Sequence, residues 1–132
     1  MTDQAPLSLH QRSVLDALER APAPQSAYAL LEAVADSGIR APVQVYRALD
    51  KLVAAGLVHK VESLNAFIAC ADHEKGHWAA FTICDNCGIV GEVPVNDPKR
   101  LTSGLDFGKF DVQSAQLELR GLCGKCRNLK HP

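Results

Sequence analysis

Cys84-Asp85-Asn86-Cys87-Gly88 and Cys123-Gly124-Lys125-Cys126 are the stretches on which the reading of this chain turns. Two residues separate the cysteines of each pair, so a tight knuckle offers both sulfurs to one ion. Four thiolates close a tetrahedral zinc site with Zn–S bonds of roughly 2.3 Å. Residues 88–122, 35 in number, lie between the pairs, more than the roughly 15–20 of a simple zinc ribbon. A shared ion would pin a small domain at both ends. Gly88 and Gly124 each follow a cysteine and permit the sharp backbone turns of a knuckle. The same pairs also suit buried or redox-active thiols, although neither lies in the βαβ pattern of a thiol redox protein.

Outward from the knuckles, 132 residues suit one domain or two small ones. Hydrophobic residues make up 47% and charged residues 22%, the proportions of an ordinary globular protein. Each half of a two-domain chain has a thin core, so a metal staple or a dimer interface is expected. No apolar run approaches the ~20 residues of a membrane span. With no basic segment leading into an apolar one at the N-terminus, the chain reads as cytoplasmic. In a reducing compartment paired cysteines favour metal over disulfide. The net charge of −1 is spread evenly, with six basic and seven acidic residues in the first 63 positions and eight of each in the rest. Contact with phosphate must therefore come from a local patch.

In the first half, Ser8 with Gln11 forms a capping-box pattern, and Leu9, Val14, Leu15 and Leu18 continue as a helical stripe. Pro22 and Pro24 end that helix. Ser26 is the next N-cap, and Gly38 and Pro42 bracket a loop before a third helix. There Val45, Ala48, Leu49, Leu52 and Val53 recur at core spacing. Gln44, Arg47 and Lys51 line another face, and Gly56 is the stop. Extended segments at about 57–62 and 66–70 follow, with Ser63-Leu64-Asn65 as the turn. Three helices and a hairpin are the order of a winged helix, whose last helix can enter the major groove of DNA. A polar helix face is by itself most often just solvated. The hairpin behind it is what points to DNA.

The second half reads as α+β. Short strands at 81–84 and 89–95 flank the first knuckle. Asp97 and Pro98 open a helix running to about Leu105, and residues 112–122 form a third strand with Leu117 and Leu119 on one face. The fifth cysteine, Cys70, has His59 eleven residues before it, His77 seven after it, and Glu92 on the strand leaving the first knuckle. One Cys, two His and a carboxylate make a four-coordinate zinc site softer and more pH-sensitive than four thiolates. Spacing alone leaves the alternative of satisfied surface histidines and a buried apolar thiol.

Val45-Tyr46-Arg47-Ala48-Leu49, Gly56-Leu57-Val58-His59-Lys60-Val61-Glu62 and Cys84-Asp85-Asn86-Cys87-Gly88 together resemble the ferric-uptake-regulator family, most closely its zinc-uptake branch. The likeness runs from about Leu7 to Cys126. It implies an N-terminal winged-helix DNA-binding domain (1–69), a hinge (70–76) and a small α/β dimerisation and zinc-binding domain (77–132). It also implies a metal-dependent repressor that acts as a homodimer on palindromic operator DNA, with neither a membrane nor a small-molecule substrate as partner. Two zinc ions per chain follow from the family pattern. Cys84, Cys87, Cys123 and Cys126 match the structural site, and His59, Cys70, His77 and Glu92 the regulatory one. Arg47 and Tyr28 match DNA-contacting positions, and Tyr46 joins Gln44 and Lys51 in the recognition-helix set.

Iron-sensing relatives carry a His/Asp-rich run before the first cysteine. Here that run keeps only His77 and continues as Trp78-Ala79-Ala80-Phe81. Fewer N and O donors beside a retained Cys70 favour zinc over iron. The family's Leu-Thr-Pro-Gln-Arg start appears as Leu7-Ser8-Leu9-His10-Gln11. His10, His73 and His131 read as solvated side chains, His73 being placed between Cys70 and His77. An iron, manganese or peroxide sensor is the alternative within the family, and a zinc storage or delivery protein or a thiol redox protein the alternatives outside it. No nucleophile is paired with a base in the manner of an enzyme.

Overall fold

In the computed structural model, which describes residues 6–70 and 78–130, the first helix begins as the sequence predicts. The Ser8 hydroxyl accepts from the Gln11 N–H and the Gln11 side chain accepts from the Ser8 N–H, both at 3.1 Å. The reciprocal pair satisfies two donors that a helix start leaves open. Helix α1 (Leu9–Arg20) buries Val14, Leu15, Ala17 and Leu18. Ser26 caps α2 (Ala27–Ala33) through the Ala29 N–H. Helix α3 (Pro42–Ala54) starts earlier than expected, taking Pro42 as its first residue. The missing N–H of proline would have had no intrahelical partner there, and its fixed φ is already helical.

Val45, Ala48, Leu49 and Leu52 of α3 are buried against Val14, Leu18, Leu30, Ile39 and Phe67. Gly56, at φ +77°, turns the chain out of α3 in a conformation that glycine adopts at little cost. Strands β1 (Val58–Val61) and β2 (Ala66–Ala69) pair antiparallel, from Val58 opposite Ala69 to Val61 opposite Ala66. Asn65, at φ 50°, completes the turn between them. Gln25 adds a further rung, its N–H and C=O exchanging bonds of 2.9 and 2.8 Å with Phe67. Three helices and a two-stranded wing are thus tied into one body around a shared core.

The chain divides into two compact units, Met1–Gly76 and His77–Pro132. The second unit is organised on β3 (Trp78–Cys84), which has β4 (Val90–Val93) antiparallel on one side and β5 (Ala115–Gly121) parallel on the other. A parallel neighbour requires a long crossover, supplied by residues 94–114. Within it, Asp97 caps the Lys99 N–H as expected, but the helix it opens is a 3-10 segment, Pro98–Thr102, that stops short of Leu105. Thr102, Ser103 and Gly104 end it. The Thr102 hydroxyl bonds back to the Lys99 carbonyl at 3.2 Å and Gly104 takes φ +90°, both alternatives to continued helix.

Ala79, Ala80, Phe81 and Ile83 of β3 are buried. Leu117 and Leu119 lie opposite Ala80 and Thr82 on one face of β5, as predicted. Together with Ile89, Phe107, Phe110 and Leu122 they remain 40–71% exposed. Among the described residues, no helix is long and apolar enough to cross a membrane.

Candidate metal centre

The end of β3 carries Cys84, and the knuckle that follows turns back at Gly88, whose N–H reaches the Cys84 carbonyl at 3.0 Å. The second knuckle leads from β5 into α4 (Gly124–Lys130), with the Arg127 N–H on the Cys123 carbonyl at 2.9 Å. Parallel pairing of β3 and β5 brings Cys84 opposite Gly121, so the two knuckles meet at one end of the sheet. The ligand atoms of Cys84, Cys87, Cys123 and Cys126 all lie within 4.8 Å of one another, and Cys87 Sγ is 3.8 Å from Cys123 Sγ. Zn–S bonds of roughly 2.3 Å give a tetrahedron with edges of about 3.8 Å. The four sulfurs therefore fit zinc, with the widest edge closing by at most about 1 Å. No disulfide joins any of the five cysteines.

The donors around these sulfurs are uneven. Cys84 Sγ accepts from the backbone N–H groups of Cys87 at 3.5 Å and Cys123 at 3.4 Å. Those two bonds pull its pKa down to about 6. The Cys126 backbone N–H likewise lowers Cys123. At Cys126 the Asn86 amide is the largest influence and lowers the pKa, but burial and the three neighbouring sulfurs together outweigh it and push it up to about 11. Like charges resist sharing so small a space. A cation relieves that repulsion, so metal loading displaces protons from the thiols.

No family model matches the chain. The "Zinc uptake regulation protein" of Escherichia coli (strain K12) is 37% identical over 81% of this chain, which spans 66% of that relative's length. The structure titled "Crystal structure of holo XcZur" aligns with a TM-score of 0.77 and 40% identity, covering 92% of this chain and 86% of that one. "Zinc Uptake Regulator Complexed With Zinc AND DNA" aligns at TM-score 0.76 and 33% identity over 97% of this chain and 87% of its own. The chain belongs to the zinc-uptake-regulator family.

The remaining predicted residues are distributed over the two units. His59 lies on β1 opposite Ile68, and the Cys70 N–H bonds to the Leu57 carbonyl at 2.8 Å, one rung further on. Alternation along paired strands puts His59 and Cys70 on the same face of the hairpin. Both are buried, at 6% and 7% exposure. Glu92 lies on β4 opposite Phe81 and is half-buried. His77 and His73 lie outside the described residues, as does His131.

On α3, Tyr46, Arg47 and Lys51 are exposed, and so is Tyr28 on α2. Arg47, Asp50 and Lys51 line one side of a hollow of about 440 Å³ whose other side is Ser8, His10 and Gln11 at the start of α1. Gln44 behaves differently from the rest of the face assigned to it. Its Oε1 accepts from the N–H groups of Arg40 at 2.7 Å and Ala41 at 3.1 Å. The residue at the N-cap position, Ala41, has no side-chain oxygen to cap the first turn, while Gln44, at the third helical position, reaches back to the N-cap backbone. Around the sulfurs, sequence reading missed Asn86, Asp85 and Arg120. For Asp85 and Asn86 the available signal was their place inside a Cys-x-x-Cys knuckle; Arg120, on β5, carried none.

Proposed function

We propose that this protein is a zinc-responsive, cytoplasmic transcriptional repressor that binds palindromic operator DNA as a homodimer when zinc is bound. It then controls zinc-uptake genes. The observation that carries the reading is a four-sulfur cluster of zinc dimensions in a chain aligned over 97% of its length with a zinc uptake regulator solved with zinc and DNA. Cys84, Cys87, Cys123 and Cys126 hold a structural ion that closes the second unit. His59, Cys70, His77 and Glu92 hold a second, regulatory ion, making two per chain. Arg47, Tyr28, Tyr46 and Lys51 face DNA, with Gln44 at the start of the same helix.

The exposed apolar residues of the second unit support a dimer, because burying Phe107, Phe110, Leu117 and Leu119 against a second copy removes them from water. In a dimer the two recognition helices must reach half-sites about one helical turn apart, roughly 34–36 Å. A regulatory ion that fixes that spacing links metal and DNA reciprocally, typically by ~1–3 kcal/mol. Operator affinity measured across a series of buffered free-zinc concentrations tests this. It is expected to fall as zinc is withdrawn, and equal binding with and without zinc overturns the reading.

A further inference from the structure

We infer that Asn86 is a positioning residue of the four-cysteine centre, its side-chain amide holding the Cys126 sulfur toward the ion and so governing how firmly the metal is kept. Asn86 sits between the two cysteines of the first knuckle, while Cys126 belongs to the second. The Asn86 Nδ2 donates to Cys126 Sγ at 3.1 Å across 40 residues of sequence. A thiolate only accepts, which sets the orientation of the amide.

The four sulfurs divide into an inner and an outer pair. Cys84 and Cys126 are buried, at 4% and 3% exposure, whereas Cys87 is exposed and Cys123 half-buried. Four thiolates around one dication leave a net charge of −2 on the site. The outer sulfurs spread that charge into water. The inner ones depend on donors from the protein, since a buried charge without hydrogen bonds is strongly disfavoured. Cys84 has two backbone N–H groups. Cys126 has the amide of Asn86. Outer-shell donors of this kind orient ligands, and their loss typically weakens metal binding 10–100-fold. A residue chosen only to turn the knuckle would not need to reach the other cysteine pair.

The inference rests on the four-thiolate reading of the cluster, and the test separates the two. The full chain is loaded with Co2+ or with cadmium-113, as the parent and as Asn86→Ala and Asn86→Asp, the latter isosteric but without a donor when ionised. In the parent, cadmium NMR is expected to show scalar coupling from the ion through the Cys126 sulfur to an Asn86 amide proton. Both variants are expected to lose Co2+ to a competing chelator at about 10–100-fold lower chelator concentration, with the thiolate-to-cobalt charge-transfer bands moved to lower energy. Absence of the coupling in the parent overturns the role of Asn86 without any variant having to fold. So do variants that match the parent in retention and spectrum. A parent lacking a tetrahedral cobalt–thiolate spectrum overturns the four-thiolate reading itself, and this inference with it.

Discussion

Arg120 donates twice to a single carboxylate oxygen of Asp85, from Nη2 at 2.7 Å and from Nε at 3.0 Å. The pair joins the first knuckle to β5, the strand leading to the second. Both side chains are about half exposed, at 52% and 46%, so solvent screens them. Exposed pairs of this kind contribute roughly 0.2–1 kcal/mol. The Asp85 N–H also reaches the Gly121 carbonyl at 2.8 Å, a bond that survives any side-chain change. Asp85→Ala and Arg120→Ala are therefore expected to lower the stability of the zinc-loaded protein by under about 1 kcal/mol each. Thermal unfolding of both variants and the double mutant measures it. Losses of several kcal/mol would mean that the ion pair, and not the backbone bond and metal, holds the knuckles together.

Cys84 is expected to behave in the opposite way. It is buried, it ends β3, and its sulfur accepts a backbone N–H from each of the two knuckles. Structural zinc supplies folding free energy directly, and the small buried set of Ala79, Ala80, Phe81 and Ile83 offers little to replace it. Cys84→Ser should unfold the second unit, abolish dimers and release both proposed ions, because Glu92 of the second proposed site lies on β4 of that unit. Elemental analysis with size-exclusion chromatography checks this. A folded dimer holding one ion fewer would show that the site is dispensable. In the parent, loading displaces thiol protons, so zinc affinity should fall steadily as pH is lowered.

Much of this was legible in the residues because local chemistry agreed with the fold. Ser8 with Gln11, Ser26 and Gly56 each act within a few positions of themselves, and each is found in the role its pattern implies, while the two Cys-x-x-Cys pairs come together as one cluster. What was not legible depends on distant partners. That β5 lies parallel to β3, opposing Cys84 to Gly121, is set by the crossover. No spacing within Ala115–Gly121 records it. The reach of Asn86 to Cys126 and of Arg120 to Asp85 follows from that pairing. Gln44 escaped for a different reason. Helical spacing aligns it with Arg47 and Lys51, but spacing is silent on the fact that Ala41 leaves the helix start without a cap.

Gln44 therefore yields a separable prediction. Its Oε1 satisfies the Arg40 and Ala41 N–H groups, the service that the third helical residue of a capping box provides by reaching back to the N-cap backbone. Gln44→Ala should lower stability by about 1 kcal/mol, in line with loss of the hydrogen bonds it makes at the helix start. Gln44→Glu keeps the acceptor and adds a charge favourable at a helix N-terminus, so it should restore stability. On DNA the same carboxylate faces phosphate and should weaken binding. Chemical denaturation and operator titration of the two variants read the two effects apart. Equal stability of Gln44→Ala and parent would sink the capping role.

Arg47 is exposed in mid-α3, its face flanked by Tyr46 and Lys51 and with no cap to serve. A guanidinium there can present two donors to O6 and N7 of a guanine, worth about 1–3 kcal/mol of discrimination per base pair. Arg47→Ala should bring operator affinity close to that for unrelated DNA, while zinc content and unfolding stay as in the parent. Lys51→Ala, by contrast, should weaken binding to all sequences alike and flatten its salt dependence, as expected for a phosphate contact. If specificity outlasts Arg47→Ala, the bases are read by another residue.

The regulatory ion proposed above makes the most demanding prediction. His59 and Cys70 share one face of the wing hairpin and are buried there, so truncating either also disturbs packing. Cys70→Ser is the milder change, keeping size and burial while replacing a thiolate by a hydroxyl, a far weaker zinc ligand. Glu92→Gln on β4 does the same for the carboxylate, removing charge and keeping shape. Each variant should retain the four-cysteine ion, lose the second, and remain a folded dimer. Each should then bind operator at zinc saturation only as well as the parent does in chelator, a weakening of about 5–150-fold for a coupling of ~1–3 kcal/mol. Titrations of operator with zinc content counted in parallel decide the matter. If Cys70→Ser or Glu92→Gln still binds two ions and still responds to zinc, the regulatory ligands lie elsewhere in the chain.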